Sequence, residues 1–342
     1  MLSAKKISFV LHALALSLGL LAASAFAKTY DWPLPENTTL TVNIPRGALL
    51  IVTRVDGKQQ VSLDLKKVNI ARESSLTSRK ITGDIPSEEP LWSIKGSSAT
   101  LTFPTPADID LQKVTGVSAA LILPATGEYE INGTLSDVYL KDTKNTLRVK
   151  VVNGKVIAQN AAAGDVAIDV LNGSITTEGM KGKLSLKLRS GTLTDKGSQG
   201  DLDVDLVNGD LLLNSASKTL HIKQITGKQT IDAQACEVFT NDLQTGSSEI
   251  RLGSKLKKGS IVSAGGEITT LVADDWQGKI VAEGVSGNNI INHLSDLKPT
   301  AVKPPLSDER LELTQGAAPA AQLTLSTVGG GVTLQHALQA GK

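Results

Sequence analysis

Leu147–Gln159 (LRVKVVNGKVIAQ), Val166–Glu178 (VAIDVLNGSITTE), Leu184–Lys196 (LSLKLRSGTLTDK) and Leu202–Asn214 (LDVDLVNGDLLLN) superpose residue for residue, each about a glycine. That glycine recurs at 154, 173, 191, 209, 227, 246 and 266, with spacings of 19, 18, 18, 18, 19 and 20. Self-similarity at a fixed period of this size marks a repeat architecture. Within each segment apolar and polar residues alternate, which is the period of a strand with one face buried. Leu147, Val149 and Val151, then Val166, Ile168 and Val170, then Leu184, Leu186 and Leu188, then Leu202, Val204 and Leu206 share that inward face. They stand seven, five and three residues before their glycines.

Asn153, Asn172, Ser190, Asn208, Thr226 and Thr245 immediately precede the glycines. Asn-Gly between alternating strands is also a hairpin signal, so an antiparallel meander competes with a parallel stack. Two further features favour the stack. Gly164, Gly182 and Gly200 give a second corner half a repeat away, leaving two short strands per coil. The outward residue four before each glycine reads Lys150, Asp169, Lys187, Asp205, Lys223, Asp242, and Asp165, Lys183, Asp201 form a second alternating column. Stacked coils put these residues next to each other, where like charges would destabilise neighbouring strands. A meander gives the alternation no physical reason. The expected fold is all-β, a parallel β-solenoid with coils of 18–20 residues.

The pattern extends outward from its clearest section. Leu40, Val42 and Ile44 precede Gly47 at the same offsets, and Leu323, Leu325 and Thr327 precede Gly330, so the array is expected to start and finish with these coils. Asn132-Gly133 reads as another corner, Gly278 and Gly287 as a degraded late coil, and Gln335–Lys342 as a short helical cap over an open edge. Gln224 and Asn241 break the apolar inward face of the fifth and sixth coils. Two stretches break the rhythm, about 71–106 and 292–320, rich in Ser, Thr and Pro or in Pro alone. Such insertions map to loops projecting from one face, and two readings of them stand: loops that carry binding, or disordered excursions without a role.

Lys5 and Lys6, an apolar run from Leu14 to Ala25, and Ala25-Phe26-Ala27 read as a secretory signal peptide, residues 1–27, cleaved after Ala27. The apolar run is too short to span a bilayer, which takes about 20 residues. The expected location is the periplasm, the outer surface or the medium, with 28–342 as the solenoid domain. Loss of Lys5 and Lys6 takes the 35 basic residues to 33 against 34 acidic, so no electrostatic case exists for nucleic acid or an anionic membrane. One cysteine, Cys236, rules out an internal disulfide and reads as a small buried residue. Aromatic residues make up only 3% of the chain, as a repetitive aliphatic interior requires.

The residues offer little chemistry. His221, His293 and His336 lack metal-ligand spacing, no phosphate-cradling loop or nucleophile elbow occurs, and Gly329-Gly330-Gly331 reads as a tight corner. The best catalytic candidates are Asp165, Asp169, Asp201, Asp203 and Asp205, since paired acids on a β-helix can bind calcium or cleave polysaccharides. Lys183 and Lys187 lie between the two aspartate coils, so a register-fixing ion ladder is the simpler role. Asp203, in a column with Ser185 and His221, is the exception. No catalytic, cofactor-binding or metal-binding residue is assigned, and no cofactor is expected.

VVNGKV, DVLNGSI, KLRSGTL, DLVNGDL and the closing LSTVGGGVTL, over roughly 140–290 and 322–335, resemble the bacterial exported β-strand-repeat family of adhesin-like proteins. The resemblance implies a right-handed parallel β-helix-like fold, an envelope or surface location and no established enzymatic activity. It carries no active-site residues. The resulting expectation is a non-catalytic adhesin-like protein with a binding or structural role, whose partner is a cell-surface protein or glycan. A polysaccharide lyase or hydrolase using Asp201, Asp203 and Asp205, or a periplasmic assembly scaffold, are the alternatives.

Overall fold

The computed structural model describes residues 28–66, 89–104, 117–161, 164–285, 290–302, 309–317 and 319–337, and all their regular structure is β-strand. The first strands are β1 (Lys28–Pro33), β2 (Thr39–Thr53), β3 (Gln60–Lys66), β4 (Leu91–Lys95), β5 (Ser98–Thr102), β6 (Val117–Leu123) and β7 (Glu128–Lys141). The regular repeats follow as β8 (Thr146–Gln159), β9 (Val166–Glu178), β10 (Lys181–Lys196), β11 (Gln199–Asn214), β12 (Thr219–Ala233) and β13 (Val238–Leu252). The last are β14 (Lys258–Ser263), β15 (Glu267–Val272), β16 (Gly278–Gly284), β17 (Ile290–Asn292), β18 (Thr300–Ala301), β19 (Glu309–Gln315), β20 (Ala321–Thr327) and β21 (Val332–His336). The predicted signal peptide, 1–27, lies outside the described residues.

From β7 to β13 each strand pairs in parallel with the next, and from β8 onward glycine lies against glycine: Gly154↔Gly173↔Gly191↔Gly209↔Gly227↔Gly246. Only Gly197 and Ser198 separate β10 from β11, although β10 has 16 residues and would be about 53 Å long if straight. Two residues cannot carry the chain back that far, so each long strand doubles back within itself. It does so at the corner glycine, and its two legs face each other across the core. Leu184, Leu186 and Leu188 from one leg of β10 and Leu193 from the other are all buried, 3% exposed or less.

The corner requires glycine twice over. Gly209 has φ +147°, a region closed to L side chains, and a Cβ there would lie 1.7 Å from the carbonyl oxygen of Gly191 in the layer before. The second corner is the same kind of close approach, since Gly182 pairs with Gly200, whose Cβ would lie 2.2 Å from Gly182 O.

Two continuous ladders result. The first-leg ladder runs β4, β5, β2, β7 to β13, β14, β20, β16, β19, β18. The second-leg ladder runs β1, β3, β6, β2, β7 to β13, β15, β21, β17. At both ends of the first ladder and at the start of the second, the outermost pairings turn antiparallel.

Four sequence expectations change. The coils about Gly47 and Gly330 do not end the array. β2 lies between β5/β6 and β7, and β20/β21 between β14/β15 and β16/β17, because the chain loops over each end and lays a later or earlier segment outside. The interrupting stretches are not only loops: Ser98–Thr102 and Glu309–Gln315 alternate with period 2 and join the sheet. The corner near 133 is misplaced, since buried Gly133 pairs with Val151 on the inward face, and Ser136 holds the corner, its carbonyl oxygen 2.0 Å from where a Gly154 Cβ would be. Gln335 and His336 belong to β21 rather than to a helix, because they pair with Leu271 and Val272; 338–342 lie outside the described residues, as does Gly287.

Candidate functional surface

Counted back from the corner glycine, residues eight, six, four and two before it point outward from the first leg. The charge column lies in register as expected: Lys150↔Asp169↔Lys187↔Asp205↔Lys223↔Asp242. All six are exposed. They do not form the closed ion ladder expected from the sequence. Lys150 Nζ lies 2.9 Å from Glu130 Oε1 in the layer before it, and among the described residues none of the other five has an opposite charge within 4.0 Å. The alternation therefore avoids like-charge neighbours without locking the layers by ion pairs.

The aspartates singled out in the sequence share this face. Asp201, Asp203 and Asp205 alternate outward along β11, with Cα atoms about 6.6 Å apart at strand rise. Lys183 and Lys187 pair with Asp201 and Asp205 from the next strand, and Asp203 stands between Ser185 and His221. A general acid for glycoside cleavage needs burial to hold its proton near neutral pH. Asp165, Asp169, Asp201, Asp203 and Asp205 are all exposed. Among the described residues no three His, Cys, Asp or Glu side chains are placed to hold a metal ion. His336 pairs instead with Asp274, Nδ1 to Oδ1 at 2.6 Å.

Two rows behind the charges, Val152, Leu171, Val207 and Ile225 are 36–43% exposed and lie in one column, interrupted only by Arg189. This aliphatic row flanks the first corner along the stack. Elsewhere, Tyr30 and Trp32 stack at 5.5 Å and Trp32 and Trp92 at 5.1 Å. Since β1 and β4 edge different ladders, this aromatic stack bridges the two legs over the N-terminal end of the core.

No family model matches this chain. No curated protein matches it either. Among solved structures, a proposed cell adhesion protein from Clostridium sporogenes ATCC 15579 aligns at 9% identity over 91% of this chain and 98% of its own, with a TM-score of 0.27. A proposed adhesin from Bacteroides fragilis NCTC 9343 aligns at 11% identity over 91% and 98%, with a TM-score of 0.26. Scores this low carry no argument about fold or role.

The interior also holds polar groups, of which the sequence analysis named Gln224 and Asn241 but not Asp195. Asp195 is wholly buried two residues past Leu193, on the inward phase of the second leg. Thr177 Oγ1 donates to Asp195 Oδ1 at 2.6 Å and Ser198 Oγ donates to the same oxygen, while Oδ2 has no partner among the described residues. Burial pushes this carboxyl above the usual carboxylate range. Strict alternation from Leu193 marks the position as inward, which was the available signal. Gln224 and Asn241, the breaks in the inward face, leave the register intact. Gln224 Nε2 donates to Gly209 O at 2.8 Å, and Asn241 Nδ2 and Ser248 Oγ both donate to Gln229 Oε1, at 2.8 and 2.7 Å. Cys236 is buried, its thiol pushed up to about 11 by desolvation, which keeps it protonated and unreactive near neutrality.

Proposed function

We propose that residues 28–342 form one β-solenoid domain that serves as a non-catalytic, adhesin-like binding or structural protein of a bacterial envelope or cell surface. The observation that carries this reading is the in-register layer stack. It presents long, regular outward columns, in which Asp169 and Asp205 stand between lysines and Asp203 between Ser185 and His221 on an open strand face, rather than converging on one point. Extended periodic surfaces of this kind suit recognition of an extended partner, a surface protein or glycan, as repeat architectures do generally. The sequence-level export signal supports an envelope or surface location, and among the described residues no helix is long and apolar enough to cross a membrane.

The test is cell fractionation with N-terminal sequencing and protease accessibility, followed by photo-crosslinking from probes on the outward face of the second leg. The reading expects a processed chain beginning at Lys28 in the envelope fraction and crosslinks to an envelope component. An intact N-terminus in the cytoplasm would overturn it. Turnover of a polysaccharide that disappears in Asp203→Ala would replace it with the enzymatic reading.

A further inference from the structure

We propose that the chain forms a two-fold symmetric dimer through the outward face of its first leg, the occupant of that face being a second copy of the same chain. The order of charges along the stack sets this symmetry. Read from β8 to β13 the column is Lys150, Asp169, Lys187, Asp205, Lys223, Asp242, alternating in sign over an even number of layers. Read backwards, every sign is reversed. A two-fold axis running along the strands and passing between Lys187 and Asp205 therefore sets Lys187 against Asp205 of the second copy, Asp169 against Lys223, and Lys150 against Asp242. An odd number of layers would place like on like.

The neighbouring columns obey the same axis. Lys183 meets Asp201 of the second copy in the column eight before the glycines. In the column two before, exposed Leu171 meets exposed Ile225, an apolar pair beside the ionic ones. Among the described residues, five of the six column charges have no opposite charge within 4.0 Å in their own chain, so they are open to a partner.

Charge pattern also selects the occupant. The column carries three cations and three anions, so a partner of uniform sign meets repulsion at every second layer. A matching surface must alternate at the same ~4.8 Å step. A second copy does so by construction, as isologous interfaces require. Six layers at that step by about 20 Å of strand give roughly 600 Å² per copy and ~1,200 Å² in total, the lower bound of a standard specific interface. Because facing sheets cross at about 30°, contacts are closest near the axis, at Lys187 and Asp205.

The test is sedimentation equilibrium of the purified chain over about 1 to 100 μM, the range expected for a small interface. Wild type should dimerise, and less so as salt rises. Lys187→Asp alone, and Asp205→Lys alone, each replace two opposite-charge contacts at the axis by two like ones. Each should associate about 100-fold more weakly. Mixed in equal amounts the two variants should recover a heterodimer, since the carboxylate introduced at position 187 of one then faces the ammonium introduced at position 205 of the other. A purely intramolecular ladder predicts no such recovery.

Should either variant lose its native circular dichroism, a second pair on the native charge set decides. Leu171→Cys and Ile225→Cys, each with Cys236→Ser, should form a disulfide when mixed and not when kept apart. A monomeric wild type, self-association unchanged in both charge variants, absent recovery on mixing of folded variants, or equal crosslinking in unmixed cysteine variants would each overturn the proposal.

Discussion

Replacing Gly209 by alanine perturbs the glycine column at its centre. Alanine must either adopt φ near +147° or move the corner; holding a non-glycine residue in so sparsely populated a region costs about 1–3 kcal/mol. The new Cβ would also lie 1.7 Å from Gly191 O, and the oxygen belongs to backbone held in the ladder, not to a side chain free to rotate. Retreat is blocked on the other side, where Gly209 O already approaches Gly227 so closely that a Cβ there would be 1.8 Å away. Relief by about 1 Å therefore distorts flanking ladder hydrogen bonds at about 1 kcal/mol each, for a total near 3–5 kcal/mol. Gly197→Ala is the matched control: φ is +68° with nothing within 4 Å of the added methyl, so only the left-handed strain of about 1–2 kcal/mol remains. Urea denaturation followed by circular dichroism gives both values. Since stacked layers can open locally, amide hydrogen exchange across β10 to β12 should show protection lost first around the substituted layer. Equal destabilisation by the two variants would refute the close-approach argument.

The Asp195 carboxyl has a folded-state pKa above its unfolded value, so the native state binds the extra proton and stability falls as pH rises from about the ordinary aspartate value of 3.8 through the folded pKa. Asp195→Asn should therefore match wild type in acid and exceed it by about 1–3 kcal/mol at neutral pH in thermal melts; a variant less stable than wild type at pH 7 contradicts this. Gln229→Leu strands the two donors of Asn241 and Ser248 and should cost about 2–5 kcal/mol, most of it regained in Gln229→Leu/Asn241→Leu/Ser248→Ala, while additive losses in a denaturation series would show that no network exists. Cys236 should fail to react with a thiol reagent at pH 8 until the chain is unfolded, and rapid modification of the native protein would place it outside the core.

The middle of the fold was legible because three independent signals coincide there: alternation, corner glycines and alternating outward charge all recur at 18–19 residues from Leu147 to Leu252. The ends were not, because spatial order there departs from sequence order. Leu323–Thr327 matches the repeat as well as any coil, yet nothing local tells it to enter beside β14 ahead of β16. Ser98–Thr102 is a strand of five residues in a Ser/Thr-rich stretch, too short for periodicity to stand out. Asn132-Gly133 carried the turn chemistry while Leu135-Ser136 held the turn, since a serine fits a corner whose close approach falls on the next layer. On the surface, the sequence located the charge column but not its open state. Whether a lysine closes on the aspartate ~4.8 Å away depends on rotamers, which pattern does not encode.

Parallel, in-register stacking of the glycine-centred repeats can be read from paired cysteines in a Cys236→Ser background. Ser185→Cys/Asp203→Cys joins register neighbours on adjacent layers, whereas Ser185→Cys/Lys196→Cys joins residues that would face each other only in a hairpin turning at Ser190-Gly191. The stack predicts a disulfide in the first pair under mild oxidation with unchanged circular dichroism, and free thiols in the second. A disulfide in the second pair and none in the first would contradict the account.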